Sequence, residues 1–495
     1  MSVEIMNTAA TAEAGLADNR GQSHDTLLTF PHTINGKPVA GSAFFEVINP
    51  STAQAFARCP DATQENLQQA VEAARGACYS WATLSWEERR RHLLGLAAAI
   101  RDHREELARL ITSENGKPIA RARDEVERSA SQMERLVTLQ VEDVVLRDDA
   151  QGRITMRHRP LGVVGAITPW NMPLVLCVPK IAHALYTGNT VIVKPSPYTP
   201  MSALRLGEIA CDLFPAGVLN MLAGGNDLGR WLTEHSGIDK ISFTGSVATG
   251  KRVMASASAT LKRVTLELGG NDAAIVLDDV DVDAVAPKLY AAAFGNSGQI
   301  CMAIKRLFVQ RSIYPSLCEA MARIAKNTIV GDGFDPTVQL GPVQNAAQYR
   351  IVLDMLDDAR KQGAQFLAGG HALNGPGYFI APTIVTNVAE GMRLVDEEPF
   401  GPVLPILPFD NVDDAIVRAN NTRYGLTGSV WTKDLKRGEA LANRLEAGTT
   451  WVNQHVGLDA CIPFGGAKES GIGCEYGVDG LKAYMQATAI NVPVH

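Results

Sequence analysis

The chain has 495 residues, which at roughly 150 residues per domain is room for two to four domains with sizeable cores and excludes a single small module. Hydrophobic residues make up 46% and charged residues 20%, an ordinary balance for globular folding that excludes global disorder. Lys and Arg total 46 against 53 Asp and Glu, a formal charge of -7 with no long basic run, so neither nucleic acid nor an anionic membrane is an expected partner.

Residues 1 to about 28 begin with Glu4, Glu13 and Asp18 and have no Lys or Arg before Arg20, so a polar tail is expected rather than a secretory signal. No apolar run reaches the ~18–20 residues needed to cross a bilayer. The eight cysteines are too sparse for a disulfide framework, and none forms a C-x-x-C pair. Reduced thiols in a cytoplasmic compartment are therefore expected, and no metal site.

Between Asp61 and Trp81, Leu67, Val71, Ala74 and Cys78 recur at helical spacing, and Asp61 with Gln64 resembles a capping box. A second amphipathic helix is expected from Trp86 to about Ser113. Residues 141–160 differ, because two alternating stretches flank Asp148-Asp149-Ala150-Gln151-Gly152, a hairpin composition. From Gly162 the pattern becomes strand (GVVGAI), helix (174–185), strand (NTVIVK), helix (202–213), strand (VLNML), helix (228–235) and strand (KISFTG). Serial βα units of this kind predict an α/β fold with a doubly wound, Rossmann-type nucleotide-binding sheet. A second α/β domain is expected over 268–467, with strand-like 306–310, FIAPTIV, GSVW and TTWVN and a helix over 312–327.

Four constellations carry chemistry. Phe243-Thr244-Gly245-Ser246 turns from strand to helix, where a helix N-terminus favours phosphate, although a turn glycine has a purely structural reading too. Lys194 and the Thr168-Pro169-Trp170-Asn171 segment both end strands, at the carboxyl edge where open α/β sheets bind ligands. Asn171 can donate an amide N–H to an oxyanion or simply cap a turn. Glu267, in the apolar run Leu266-Glu267-Leu268 before Gly269-Gly270, has the setting of a desolvated general base or of a structurally held carboxylate. Cys301 closes Gly295-Asn296-Ser297-Gly298-Gln299-Ile300 and is expected to open a helix whose positive end favours its thiolate, whereas most free cysteines are small buried hydrophobes.

TPWN (168–171), VKPS (193–196), FTGS (243–246), LELGG (266–270), GQIC (298–301), EEPFGP (397–402), WVN (451–453) and PFGG (463–466) stand in order across nearly the whole chain beyond the tail. In this order and spacing they resemble the NAD(P)-dependent aldehyde dehydrogenase superfamily. The resemblance implies that Cys301 attacks the aldehyde, that Asn171 and the Cys301 N–H hold the oxyanion, and that Glu267 activates water to hydrolyse the resulting thioester. Branches that pass the acyl group to coenzyme A generally lack this glutamate, so hydrolysis is favoured over acylation. A non-catalytic protein that retains the fold is the other alternative, and the presence of all three residues argues against it.

It further implies cofactor contacts from Lys194 to the adenosine ribose, from Gly245 and Ser246 to the pyrophosphate, and from Glu398 and Phe400 on the catalytic side. Thr168, Trp170, Ser196 and Gly269 fall at cofactor positions as well, and Lys180 matches one that has a structural reading. Many NAD-preferring members read K-P-x-E, whereas this chain has Lys194-Pro195-Ser196-Pro197. NAD is the first expectation, and the missing carboxylate leaves NADP open. Met172, Leu176, Pro179, Ile300, Met302, Cys461 and Phe464 match the substrate tunnel. Their apolar character suits an aliphatic or aromatic aldehyde, and no arginine stands at an obvious tunnel position. Met302-Ala303-Ile304-Lys305-Arg306 departs from the family's usual small residues before the arginine. The implied layout is a cofactor domain (29–140 and 161–267), a catalytic domain (268–467) and an oligomerisation element (141–160 and 468–495). In that layout the strand at 489–494 pairs on to a neighbour in a homodimer or homotetramer.

Overall fold

The short runs Val163–Ile167, Thr190–Lys194, Leu219–Met221, Lys240–Thr244 and Arg263–Glu267 each carry buried aliphatic residues. In the computed structural model, which describes residues 27–493, they are the parallel strands of an eight-stranded sheet. Across the sheet the order is Gly471–Ile472, Arg263–Glu267, Lys240–Thr244, Val163–Ile167, Thr190–Lys194, Leu219–Met221, His32–Ile34 and Lys37–Val39. The order reverses between Lys240–Thr244 and Val163–Ile167, which opens a crevice at their carboxyl ends. Alternate residues face opposite layers: Val164, Ala166, Val191 and Val193 join one core, and Val163, Ile192, Ile241 and Phe243 join the other.

The second sheet runs Gln365–Ala368, Thr383–Thr386, Val403–Phe409, Ile304–Gln310, Asp272–Val276, Thr427–Trp431 and Thr449–Val452, parallel except at its first strand. Here too Ala273, Ile275 and Phe308 pack on one face while Ala274, Val276, Leu307 and Val309 pack on the other. The chain crosses from the first sheet to the second in the few residues between Glu267 and Asp272.

Several expectations need correction. The expected tail falls outside the described residues up to position 26, and Leu28 already bridges Ala57. The first helix spans Gln64–Ala82, and its capping box is Thr63 with Asn66, because the Asp61 carboxylate instead accepts from the Gly225 N–H at 3.3 Å. The expected long helix is two, Trp86–Asp102 and Arg104–Asn115, broken at His103, whose φ of -98° and ψ of 18° leave the helical region. The helix expected from Leu174 begins at Val178, since the Leu174 and Val175 N–H groups donate to Glu125 Oε1 at 2.9 and 3.3 Å.

Val144–Asp149 and Gly152–Pro160 form the expected hairpin. The terminal strand, Met485–Val492, pairs antiparallel with Gly152–Pro160 of its own chain. Continuous register from Met485 opposite Pro160 to Val492 opposite Arg153 satisfies one side of the strand and leaves its other side at the edge of the three-stranded sheet among the described residues. Gly471–Ile472 lies against Arg263–Glu267 in the first sheet instead of joining the hairpin.

Candidate active site

Strand ends bring the candidate residues together. Thr168 follows Val163–Ile167, and its N–H donates to the Lys194 carbonyl at 3.0 Å, tying two strand ends. Asn171 is buried, and its Nδ2 donates to the Gln299 carbonyl at 2.9 Å, in the loop that carries Cys301. Its own carbonyl accepts from Asn296 Nδ2 (2.9 Å), Lys117 Nζ (3.1 Å) and Asn115 Nδ2 (3.2 Å). Lys117 is ion-paired with Glu125, both almost wholly buried. This clamp around the Asn171 main chain is composed of residues that motif reading missed, because Lys117 and Asn171 are 54 positions apart. The Glu-Asn-Gly-Lys run ending a helix is its one signal in sequence.

Glu267 ends the Arg263–Glu267 strand and is buried, and neither carboxylate oxygen has a hydrogen-bond partner among the described residues. Burial, with the charge of Glu475 added, pushes its pKa well up, and Lys180 opposes. Glu475, also missed in sequence, is paired with Lys180 and accepts from Ser242 Oγ at 3.2 Å. Burial opposes its ionisation, but Lys180, His183 and these hydrogen bonds hold it below the ordinary range. Two buried carboxylates thus differ in state: one is paired and ionised, and the other is bare and basic.

Cys301 does not open a helix. A 3-10 turn, Gly295–Gly298, precedes it and the Ile304–Gln310 strand follows, because Ile304 to Gln310 is a nearly wholly buried segment that pairs with Asp272–Val276 and Val403–Phe409. Asn296, Ser297 and Gly298 have φ of 50°, 56° and 72°, three successive left-handed residues that turn the loop. Burial pushes the Cys301 thiol up to about 12, with Glu398, Asp272 and Glu267 adding to the rise and Lys305 opposing it. The expected helix-end activation is therefore absent, and the local field is set by side-chain charges.

At the sheet crossing, a Cβ on Gly269 would strike Glu398 Oε2, and one on Gly270 would lie 2.5 Å from the Cys301 carbonyl. Glu398 Oε1 accepts from the Gly270 N–H at 3.4 Å, and burial pushes its carboxyl up to about 7 against the pull of Lys305. Phe400 has φ of 44° and stands edge-on to Trp170, ring centroids 5.2 Å apart. Gly245 and Ser246 follow the Lys240–Thr244 strand. Ser246 Oγ caps the Val247–Ser258 helix by accepting from the Thr249 N–H at 3.3 Å, and buried Thr244 Oγ1 is unpartnered among the described residues. Lys194 is nearly buried; burial lowers its pKa to about 8, opposed by Cys59 and Asp61. Ser196 is buried beside it.

The expected tunnel residues divide. Cys301 and Met302 pack on the same apolar cluster as Phe464. Ile300 and Leu176 are half-buried, and Pro179 is buried at the start of its helix. The Met172 sulfur rests 3.1 Å from Lys117 Nζ. Cys461 lies beside Arg135, Sγ to Nη2 4.0 Å, and this arginine forms a partly exposed pair with Asp459 at 2.6 Å. An arginine therefore stands next to one of the expected tunnel residues, brought there from 326 positions away.

The aldehyde dehydrogenase family model matches residues 38–490. The chain is 39% identical to an aldehyde dehydrogenase of Enchytraeus buchholzi over 472 residues, 94% of each chain. It is 38% identical to human retinal dehydrogenase 2 over 459 residues, 91% of this chain and 89% of that one. Among solved structures, the NAD+ complex of a Bacillus cereus aldehyde dehydrogenase superposes with a TM-score of 0.93 at 37% identity, covering 98% of this chain and 99% of that one. Escherichia coli lactaldehyde dehydrogenase superposes with a TM-score of 0.92 at 33% identity, covering 94% of this chain and 100% of that one. With a family model spanning nearly the whole chain and relatives at this identity aligned end to end, the chain belongs to the aldehyde dehydrogenase family.

Proposed function

We propose that this protein oxidises an apolar aliphatic or aromatic aldehyde to the carboxylic acid with NAD+ or NADP+, by way of a thioester on Cys301. The observation that carries the reading is the bare, buried Glu267 carboxylate, near enough to Cys301 for its charge to act on the thiol.

Cys301 Sγ adds to the carbonyl carbon, and the negative charge that collects on oxygen is met by the Asn171 amide and the Cys301 N–H. When bound, the nicotinamide coenzyme supplies the acceptor for the aldehyde's hydride. Loss of that hydride leaves Cys301 acylated. Glu267 then takes a proton from a water molecule as its oxygen attacks the thioester carbon; the C–S bond breaks, the acid departs and Cys301 leaves as thiolate. A carboxylate whose pKa is raised by burial is a stronger base than an exposed one, and this favours hydrolysis over transfer to coenzyme A.

The residues present fit such a coenzyme. The exposed, Ser246-capped N-terminus of the Val247–Ser258 helix suits a pyrophosphate, and Gly225, with no atom within 4 Å of a built Cβ, leaves the neighbouring helix end open. Thr168, Trp170, Lys194 and Ser196 line the adenosine side, and Glu398, Phe400 and Gly269 the catalytic side. Because Pro197 stands where a carboxylate would repel a 2′-phosphate, both coenzymes are admitted, with NAD proposed as the preferred one. Met172, Leu176, Pro179, Ile300, Met302, Cys461 and Phe464 form the proposed tunnel.

The domain division is proposed as read from sequence, save that Gly471–Ile472 belongs with the first sheet, and the hairpin is proposed as the seat of a homodimer or homotetramer, supported by exposed Val144, Val145 and Leu146 on its outer strand. A cytoplasmic location is proposed from the free cysteines; no helix among the described residues is long and apolar enough to cross a membrane. The test is a kinetic screen of hexanal, benzaldehyde and a wider aldehyde panel with each coenzyme and without coenzyme A. Acid formation matched to reduced coenzyme is expected, and absence of turnover across the panel overturns the reading.

A further inference from the structure

Within the run Met302–Arg306 that departs from the family's usual small residues, Lys305 stands four positions beyond Cys301 and is 1% exposed. A lysine with so little access to water needs partners, and this one has them on three sides. Its Nζ donates to the carbonyl of Gly298, the third of the left-handed residues that turn the nucleophile's loop. The same ammonium stands over the face of Phe400, 5.3 Å from the ring centroid, a cation–π contact. The Asp272 carboxylate acts on it from the adjacent strand and that of Glu398 from the loop before Val403–Phe409, as does the Cys301 thiol. Burial lowers the lysine's pKa, and those three groups favour its charged form.

We infer that Lys305 is the electrostatic counterweight of the nucleophile, the positive charge that offsets the carboxylates around Cys301 and so sets how readily its thiolate forms. It acts through Cys301 and is a positioning residue. The inference rests on Cys301 being the nucleophile. Three carboxylates face that thiol: Glu398 from the loop before Val403–Phe409, Asp272 from the adjacent strand and Glu267 from the end of the first sheet. Tyr476, whose own pKa burial raises, faces it as well. His455 Nε2 donates to the Met302 carbonyl at 2.9 Å, and burial pushes its pKa down to about 3, so it is neutral. Arg306 directs its guanidinium to the Asn271 and Ala419 carbonyls at 2.9 Å. Arg423 acts on Glu398 from the far side. Against this acidic surround Lys305 is the cation acting on Cys301, and it does what a helix end was expected to do.

The test uses full-length, coenzyme-free protein alkylated with iodoacetamide across a pH series, with modification of Cys301 read by peptide mass spectrometry. The Lys305→Met variant is expected to be alkylated at Cys301 about tenfold more slowly at each pH from about 7 to 10, where the thiol is mostly protonated and the rate follows its thiolate fraction. Lys305→Gln, which keeps a donor for the Gly298 carbonyl without the charge, is expected to slow the reaction likewise, and Lys305→Arg to stay within about threefold of wild type. A Lys305→Gln rate equal to wild type overturns the inference. So does equal slowing in Lys305→Gln and Lys305→Arg, which is the mark of a displaced loop. If Lys305→Met does not fold, the Gln and Arg variants decide. Aldehyde oxidation retained by Cys301→Ala would instead overturn the nucleophile reading, so the two failures are distinguishable.

Discussion

Replacing Glu267 by Gln separates what the carboxylate does for the reaction from what it costs the fold. The side chain is buried with two unpartnered oxygens, and folding raises its pKa. A carboxyl group whose folded pKa exceeds its unfolded one binds more protons when folded. Its contribution is therefore most favourable below the unfolded value, about 4.3, and is lost as pH rises through the folded value. Each unit of elevation costs about 1.4 kcal/mol of stability once the group is ionised. Gln removes that cost with little change of shape. The variant should then unfold at nearly the wild-type temperature at pH 5 and at a higher one at pH 9, by about 2–4 °C for each kcal/mol recovered. Stopped-flow mixing with aldehyde and coenzyme should show an initial burst of reduced coenzyme near the wild-type amplitude, followed by steady-state turnover lower by ~10²–10⁴. Thermal unfolding at the two pH values and the burst-to-steady-state ratio are the readouts. Unchanged steady-state turnover, or a stability gain that does not grow with pH, refutes the reasoning.

Asn171→Ala should lower kcat by ~10²–10³ with a smaller effect on KM, measured with saturating coenzyme, because the lost amide N–H matters most when charge sits on the substrate oxygen. Pro197→Glu should lower kcat/KM for NADP+ selectively and leave that for NAD+ equal or better, read from parallel coenzyme titrations. Lys180→Met strands the Glu475 carboxylate in a site with 3% side-chain exposure and should destabilise by about 3–5 kcal/mol in denaturant unfolding. Adding Glu475→Leu to that variant should recover much of the loss.

Strand ends were legible because the residues that stop a strand are local: Pro195 after Lys194, Gly245 after Thr244, Gly269 after Glu267. That locality is why Asn171, Lys194 and Gly245-Ser246 could be placed at strand ends from sequence. The loop at Gly295–Cys301 was misread because glycine punctuation followed by Ile-Cys-Met-Ala suits the start of a helix as well as the left-handed turn and strand found there. What decides between them is the pairing of Ile304 with Asp272, a tertiary contact. The partners of the buried charges were illegible for the same reason. Lys180 and Glu475 are 295 positions apart, and nothing in either neighbourhood names the other. Conversely, Lys305 was visible as a departure, but its meaning depends on Phe400 and Glu398, nearly a hundred residues further on.

The glycine pair at the sheet crossing has a consequence for how this enzyme can vary. A Cβ on Gly269 would press on Glu398 and one on Gly270 on the Cys301 carbonyl, so neither position takes a side chain without moving the Glu398 carboxylate or the loop that carries Cys301. The crossing is therefore closed to single substitutions, while the proposed tunnel walls and coenzyme edge stay open to them. Substrate range can drift in such a design without the two sheets changing their spacing.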